Sequence, residues 1–106
     1  MLINKNKGVL EAGEIVVMKL SSGEEIIAKI ESCENAVIKL HRPCALGMGP
    51  GGAVLNKWAV LADKDKPIEL KLEFIMATAA PDKEITDHYE SLTSSIVKAP
   101  AGLVTV

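Results

Sequence analysis

Nine residues in the second half of the chain, IELKLEFIM (68–76), alternate apolar and charged side chains almost without a break. Ile68, Leu70, Leu72, Phe74 and Met76 fall on one side, and Glu69, Lys71 and Glu73 on the other. Successive side chains of a strand point to opposite faces, so this run predicts a half-buried strand. A slip of one residue would carry three charges into the core, which ties the strand to one facing. A chain with this segment has to build a sheet with one dry face and one wet face.

The upstream residues supply partners for it. EIVVMKL (14–20) alternates Val16, Met18 and Leu20 against Ile15, Val17 and Lys19, and its β-branched content suits a strand. Ser21, Ser22 and Gly23 follow as a turn, with Gly free to take a positive φ. EEIIAKIESC (24–33) sets Ile26, Ala28, Ile30 and Ser32 against Ile27, Lys29, Glu31 and Cys33. Glu34–Asn35 makes a second turn, because Asn tolerates the left-handed conformation. AVIKLHR (36–42) is a third strand, expected to stop at Pro43, which has no N–H for a ladder. These three form a meander.

The glycine- and proline-rich GMGPGG (47–52) reads as a flexible loop, LNKWAVLA (55–62) as a fourth strand with Trp58 and Val60 on one face, and DKDKP (63–67) as a charged turn. Beyond residue 80 the period changes from two to between three and four. PDKEITDHYESLTSSI (81–96) places Ile85, Tyr89, Leu92 and Ile96 on one helical stripe. Pro81 suits its first position, and Asp82, Glu84 and Asp87 suit the positive end of the helix dipole. The expected order is an irregular lead-in (1–13), one domain (14–96) and a tail (97–106). The fold class is mainly β: a small, strongly bent five-stranded antiparallel barrel with a C-terminal helix.

A chain of 106 residues is long enough for one core. Its net charge of −2 gives no general attraction to nucleic acid or to an anionic membrane. No apolar run approaches a membrane span or the core of a signal peptide, so a cytoplasmic protein without membrane contact is expected. Cys33 and Cys44, the only cysteines, are then expected as free thiols. Trp58, Phe74 and Tyr89 are the whole aromatic set, too few for a base-stacking platform.

Catalytic, metal and cofactor signals are weak. His41, Cys44, Cys33 and His88 lack the paired short spacings of a zinc site. GMGPGG lacks the Lys-Ser or Lys-Thr of a nucleotide loop, and Pro50 removes a backbone donor. No elbow singles out a nucleophile, and the pairs Glu24–Glu25 and Asp63/Asp65 fall in turns. No enzyme, cofactor or metal is expected.

The order of features carries a resemblance. A V-x-L strand, a Gly turn and GEEIIAKIESCENAVIKL (23–40) look like the first motif of the Sm and Sm-like (LSm) proteins. Gly23 matches the turn glycine, Ala28 the small mid-strand residue, Glu34 the acidic residue and Asn35 the asparagine after it. The Arg-Gly or Lys-His step of the second motif is replaced by DKDKP. A Pro after the third strand, a Trp in the fourth and a Tyr-containing last helix bring the chain nearest to short Sm-like proteins of tailed phages. The resemblance implies a homo-oligomeric ring, in which residues 55–62 of one copy pair with residues 68–76 of the next. It further implies single-stranded RNA bound through pore-facing loops, with Glu34, Asn35, Lys64 and Lys66 as contact residues. A structural or protein-interaction ring without nucleic acid, such as a virion or assembly component, is the alternative.

Overall fold

A computed structural model describes residues 10–93. Most of the lead-in, the tail at 97–106 and Ile96 lie outside the described residues. The elements are β1 (Ile15–Leu20), β2 (Glu25–Glu34), β3 (Val37–Gly49), β4 (Gly52–Lys57), β5 (Ile68–Lys71), a 3-10 turn (Leu72–Phe74), β6 (Ile75–Ala79) and α1 (Lys83–Thr93). The fold is mainly β and antiparallel, with one helix after the last strand among the described residues. The strand order is β4-β3-β2-β1-β6, and β5 pairs with β3.

β1, β2 and β3 form the expected meander. β1 pairs with β2 from Ile15↔Lys29 to Lys19↔Glu25, and the Gly23 turn takes a φ of 101°. Asn35 and Ala36 at φ 55° and 66° turn β2 into β3, the paired left-handed conformation that a tight hairpin requires. Val16, Met18, Leu20, Ile26, Ala28, Ile30, Ile38 and Leu40 form one buried cluster on one face of the sheet. Ile27, Cys44, Leu55 and Tyr89 form a second on the other face, under α1. β2 is buried on both sides along its centre, which is why Ile26, Ile27 and Ala28 are consecutive core residues.

Three register shifts bend the sheet. Between Lys29↔His41 and Ile27↔Cys44, Arg42 and Pro43 together face Ala28. A second shift leaves an extra residue in β2 between Ile30 and Ser32, and a third leaves Met76 unpaired between Lys19↔Ala77 and Leu20↔Ile75. Extra residues of this kind kink a strand and raise its twist. The sheet is bent but not closed by a hydrogen-bonded ladder. β5 lies on the β3 edge and β6 on the β1 edge, with only the 3-10 turn linking them.

Four sequence expectations need correction. β3 does not stop at Pro43: the proline sits in the bulge, where no ladder N–H is required, and its carbonyl accepts a bond from the Trp58 N–H at 3.2 Å. The segment 47–52 is no open loop, because Gly49↔Gly52 closes a β3–β4 hairpin around Pro50 and Gly51. Gly52 adopts φ 121°, which its missing Cβ permits. The fourth strand ends at Lys57, and Trp58–Ala62 turn away from it. The cleanest strand of the sequence is two strands, because the 3-10 turn resets its facing. Leu70, Leu72 and Ile75 pack on the core, while Phe74 and Met76 are exposed.

α1 begins two residues later than expected, at Lys83. Asp82, not Pro81, ends the approach: its Oδ1 accepts the Ile85 N–H at 2.9 Å as an N-cap. Ile85 and Tyr89 then face the sheet, and Leu92 stays exposed. The Tyr89 hydroxyl is spliced into the β2–β3 ladder. It accepts from the Lys29 N–H at 3.0 Å and donates to the His41 carbonyl at 2.6 Å, replacing the direct bond that the bulge has opened.

Candidate functional site

The bulge that bends the sheet also borders a cleft. Arg42 stands directly before a proline, a position pushed out of the helical region, and adopts φ 45°. Its guanidinium then reaches three acceptors. Nε donates to the Lys64 carbonyl at 3.2 Å, Nη1 to the Thr93 carbonyl at 2.6 Å, and Nη2 to Asp65 Oδ1 at 3.3 Å. One side chain therefore ties the end of α1 to the 58–67 loop.

Around this clamp lies a cleft of about 330 Å³, between the end of β4, the 58–67 loop and the last turn of α1. Its floor is aliphatic, with Leu55, Ala59, Ala62, Ile68 and Leu92, and Cys44 at its back. Burial pushes the Cys44 thiol above its ordinary range, which makes it a poor nucleophile at neutral pH. Lys57, Lys64 and Lys66 line the cleft with Arg42, and Asp63 is the one acidic residue among the lining. The loop is shaped by Asp63, whose Oδ1 accepts the Asp65 N–H at 2.9 Å and whose carbonyl accepts the Lys66 N–H at 3.1 Å. Lys64 approaches Asp65 at 3.8 Å, whereas Lys66 makes no ion pair among the described residues. Trp58, next to the lining residues Lys57 and Ala59, packs against the meander core, its indole N–H donating to Glu24 Oε1 at 3.0 Å.

The four residues expected to contact RNA do not meet within one copy. Lys64 and Lys66 belong to the cleft. Glu34 and Asn35 lie in the β2–β3 turn, beyond the Val37↔Lys71 end of the β3–β5 ladder, while the lysine loop precedes its Leu40↔Ile68 end. Arg42 was not singled out by the sequence, although its place before Pro43 was the one available sign of unusual backbone. Among the described residues, no three of His, Cys, Asp and Glu gather as a metal site. His41 pairs instead with Glu31, Nδ1 to Oε2 at 3.3 Å, and both thiols are free. No described helix is long and apolar enough to cross a membrane. The sequence matches no protein-family model and no curated protein.

Proposed function

We propose that this chain is a self-assembling, Sm-like structural module of the cytoplasm, whose copies join through open sheet edges into a closed homo-oligomeric ring. One observation carries this reading. Of the large apolar side chains exposed among the described residues, all but Leu92 lie on the β3–β4 hairpin, the loop after it, or the 3-10 turn and β6. Met48 lies near the end of β3 and Val54 within β4, Val60 and Leu61 follow β4, and Phe74 and Met76 flank the start of β6. Leu61 is 99% exposed and Met76 68%. Unpaired, apolar strand edges either aggregate or find a partner strand. A head-to-tail contact between the β4 edge of one copy and the β5–β6 edge of the next closes a ring when the rotation fits.

Light scattering on the purified chain at micromolar concentration tests this. A single species of several copies is the expected result, and a monomer at that concentration rules the module out as a self-assembling one.

RNA binding is the second reading, favoured by the three lysines that share one cleft. It receives less support, because Glu34 and Asn35 sit elsewhere and no aromatic ring lines the cleft. Titration with labelled oligo-U separates the two. An RNA ring binds with an affinity that falls steeply with salt and drops in Lys64→Ala or Lys66→Ala, whereas a structural ring does neither.

A further inference from the structure

The cleft beside α1 combines two features that a solvated surface does not require together: a set of aliphatic lining residues and a set of basic ones. Leu55, Ala62 and Ile68 come from three separate segments, β4, the loop and β5, so the floor depends on the tertiary fold rather than on one amphipathic element. Arg42 spends three of its five N–H donors on Lys64, Thr93 and Asp65, which fixes its guanidinium in place. It acts as a positioning residue that holds the loop carrying Lys64 and Lys66 against the helix. Lys66 has no competing ion pair among the described residues, and an ammonium on a flexible stem is a point charge suited to a single anionic head.

We propose that this cleft binds a small aliphatic carboxylate, with its chain on Leu55, Ala62, Ile68 and Leu92 and its head between Lys64 and Lys66. The site goes beyond the assembly reading but shares Leu55, Ala62 and Ile68 with the segments assigned to it. Light scattering therefore accompanies the titration and separates a failure of this site from a failure of that reading. Its volume of about 330 Å³ stands at the small end of ligand pockets, which run from about 300 to 1,000 Å³. That size favours a medium-length chain over a long one. Absence of any aromatic ring from the lining disfavours a nucleotide, whose base seeks a stacking face. Inorganic phosphate alone would leave the apolar floor uncovered.

Trp58 is the only tryptophan, and its neighbours Lys57 and Ala59 both line the cleft, so its fluorescence is a local reporter. The full chain is titrated with octanoate below its micelle concentration, and in parallel with octanol, inorganic phosphate and uridine monophosphate. Octanoate should give a saturable change in Trp58 emission at submillimolar to low-millimolar concentration and raise the melting temperature, while the other three give weaker or no response. Lys64→Ala with Lys66→Ala should weaken octanoate binding by about tenfold or more, the scale of a lost charge-assisted contact. Ala62→Leu should block it by filling the floor. Circular dichroism checks that each variant is folded, and Lys66→Met, which keeps the apolar stem, serves if the double variant is not. Octanol binding as well as octanoate, tighter binding of uridine monophosphate, unchanged binding in the folded lysine variants, or no saturable response to octanoate each overturns the proposal.

Discussion

The β1–β3 meander and the β4–β6 stretch are built from similar amounts of apolar residue, yet they answer to different constraints. In the meander each strand is flanked on both sides, and β2 is buried on both faces, so side-chain pattern and position agree. In β4–β6 each strand has one neighbour only, and the pattern is free to break. Ile26 is fully buried, while Met76, an equally good apolar residue in a stronger alternating run, is 68% exposed. Periodicity reports facing where two partners hold a strand in register. Where only one does, a local turn such as Leu72–Phe74 can reset it.

That difference sets the largest expected effect. Ile26→Ala opens a cavity in the meander and should cost about 2–5 kcal/mol in chemical denaturation, whereas Met76→Ala should stay within about 0.5 kcal/mol for the fold of one copy. Equal losses at the two positions would mean that β6 is as firmly held as β2.

Tyr89 gives a second contrast, since α1 serves the meander through one hydroxyl. Tyr89 is 1% exposed, and burial pushes its phenol up to about 12 from an ordinary value of 10.0. The unfolded phenol ionises first as pH rises, so the folded state holds more protons between those values. Stability from this group is therefore complete below pH 10 and is lost as pH rises toward 12, by roughly 2–3 kcal/mol. Tyr89→Phe should remove this alkaline loss and, at neutral pH, cost about 1–3 kcal/mol for leaving the Lys29 N–H and His41 carbonyl unbridged. Urea unfolding of both proteins from pH 7 to 12 measures each part. An alkaline loss that persists in the Phe variant would assign it to another group.

The sequence was readable where chemistry is local. Gly23 and Asn35 marked two turns correctly, because each residue tolerates a backbone conformation that few others do. The helix was visible from Ile85 and Tyr89, but its start was placed two residues early, since proline and aspartate both suit a helix start and only the Asp82 bond to Ile85 decides between them. Asp82→Ala should cost about 0.5–2 kcal/mol, and Pro81→Ala much less, by thermal melts. Pro43 misled for a long-range reason: a proline ends a strand unless a bulge receives it, and the bulge is formed opposite Ala28 on the neighbouring strand. The cleft was legible only as two lysines. Its clamp, Arg42, and its floor come from segments far apart in the chain, and no spacing rule connects Arg42 to Thr93.

The smallest expected effect on the fold is the sharpest test of what the open edges do. Val54 and Met76 lie on opposite edges of the bent sheet and both are exposed, so a lysine at either site meets water in a single copy. Val54→Lys and Met76→Lys should each change the circular dichroism spectrum little and shift the stability of a single copy by no more than about 0.5 kcal/mol. In an assembly closed by those edges the same charge is buried against a partner strand without a counter-ion, and such a group is costly enough to open the interface. Light scattering should then report monomers for both variants. If Val54→Lys dissociates the assembly and Met76→Lys does not, the β4 edge pairs with something other than β6. If neither does, the copies meet elsewhere and the exposed edges are protected by their shortness alone.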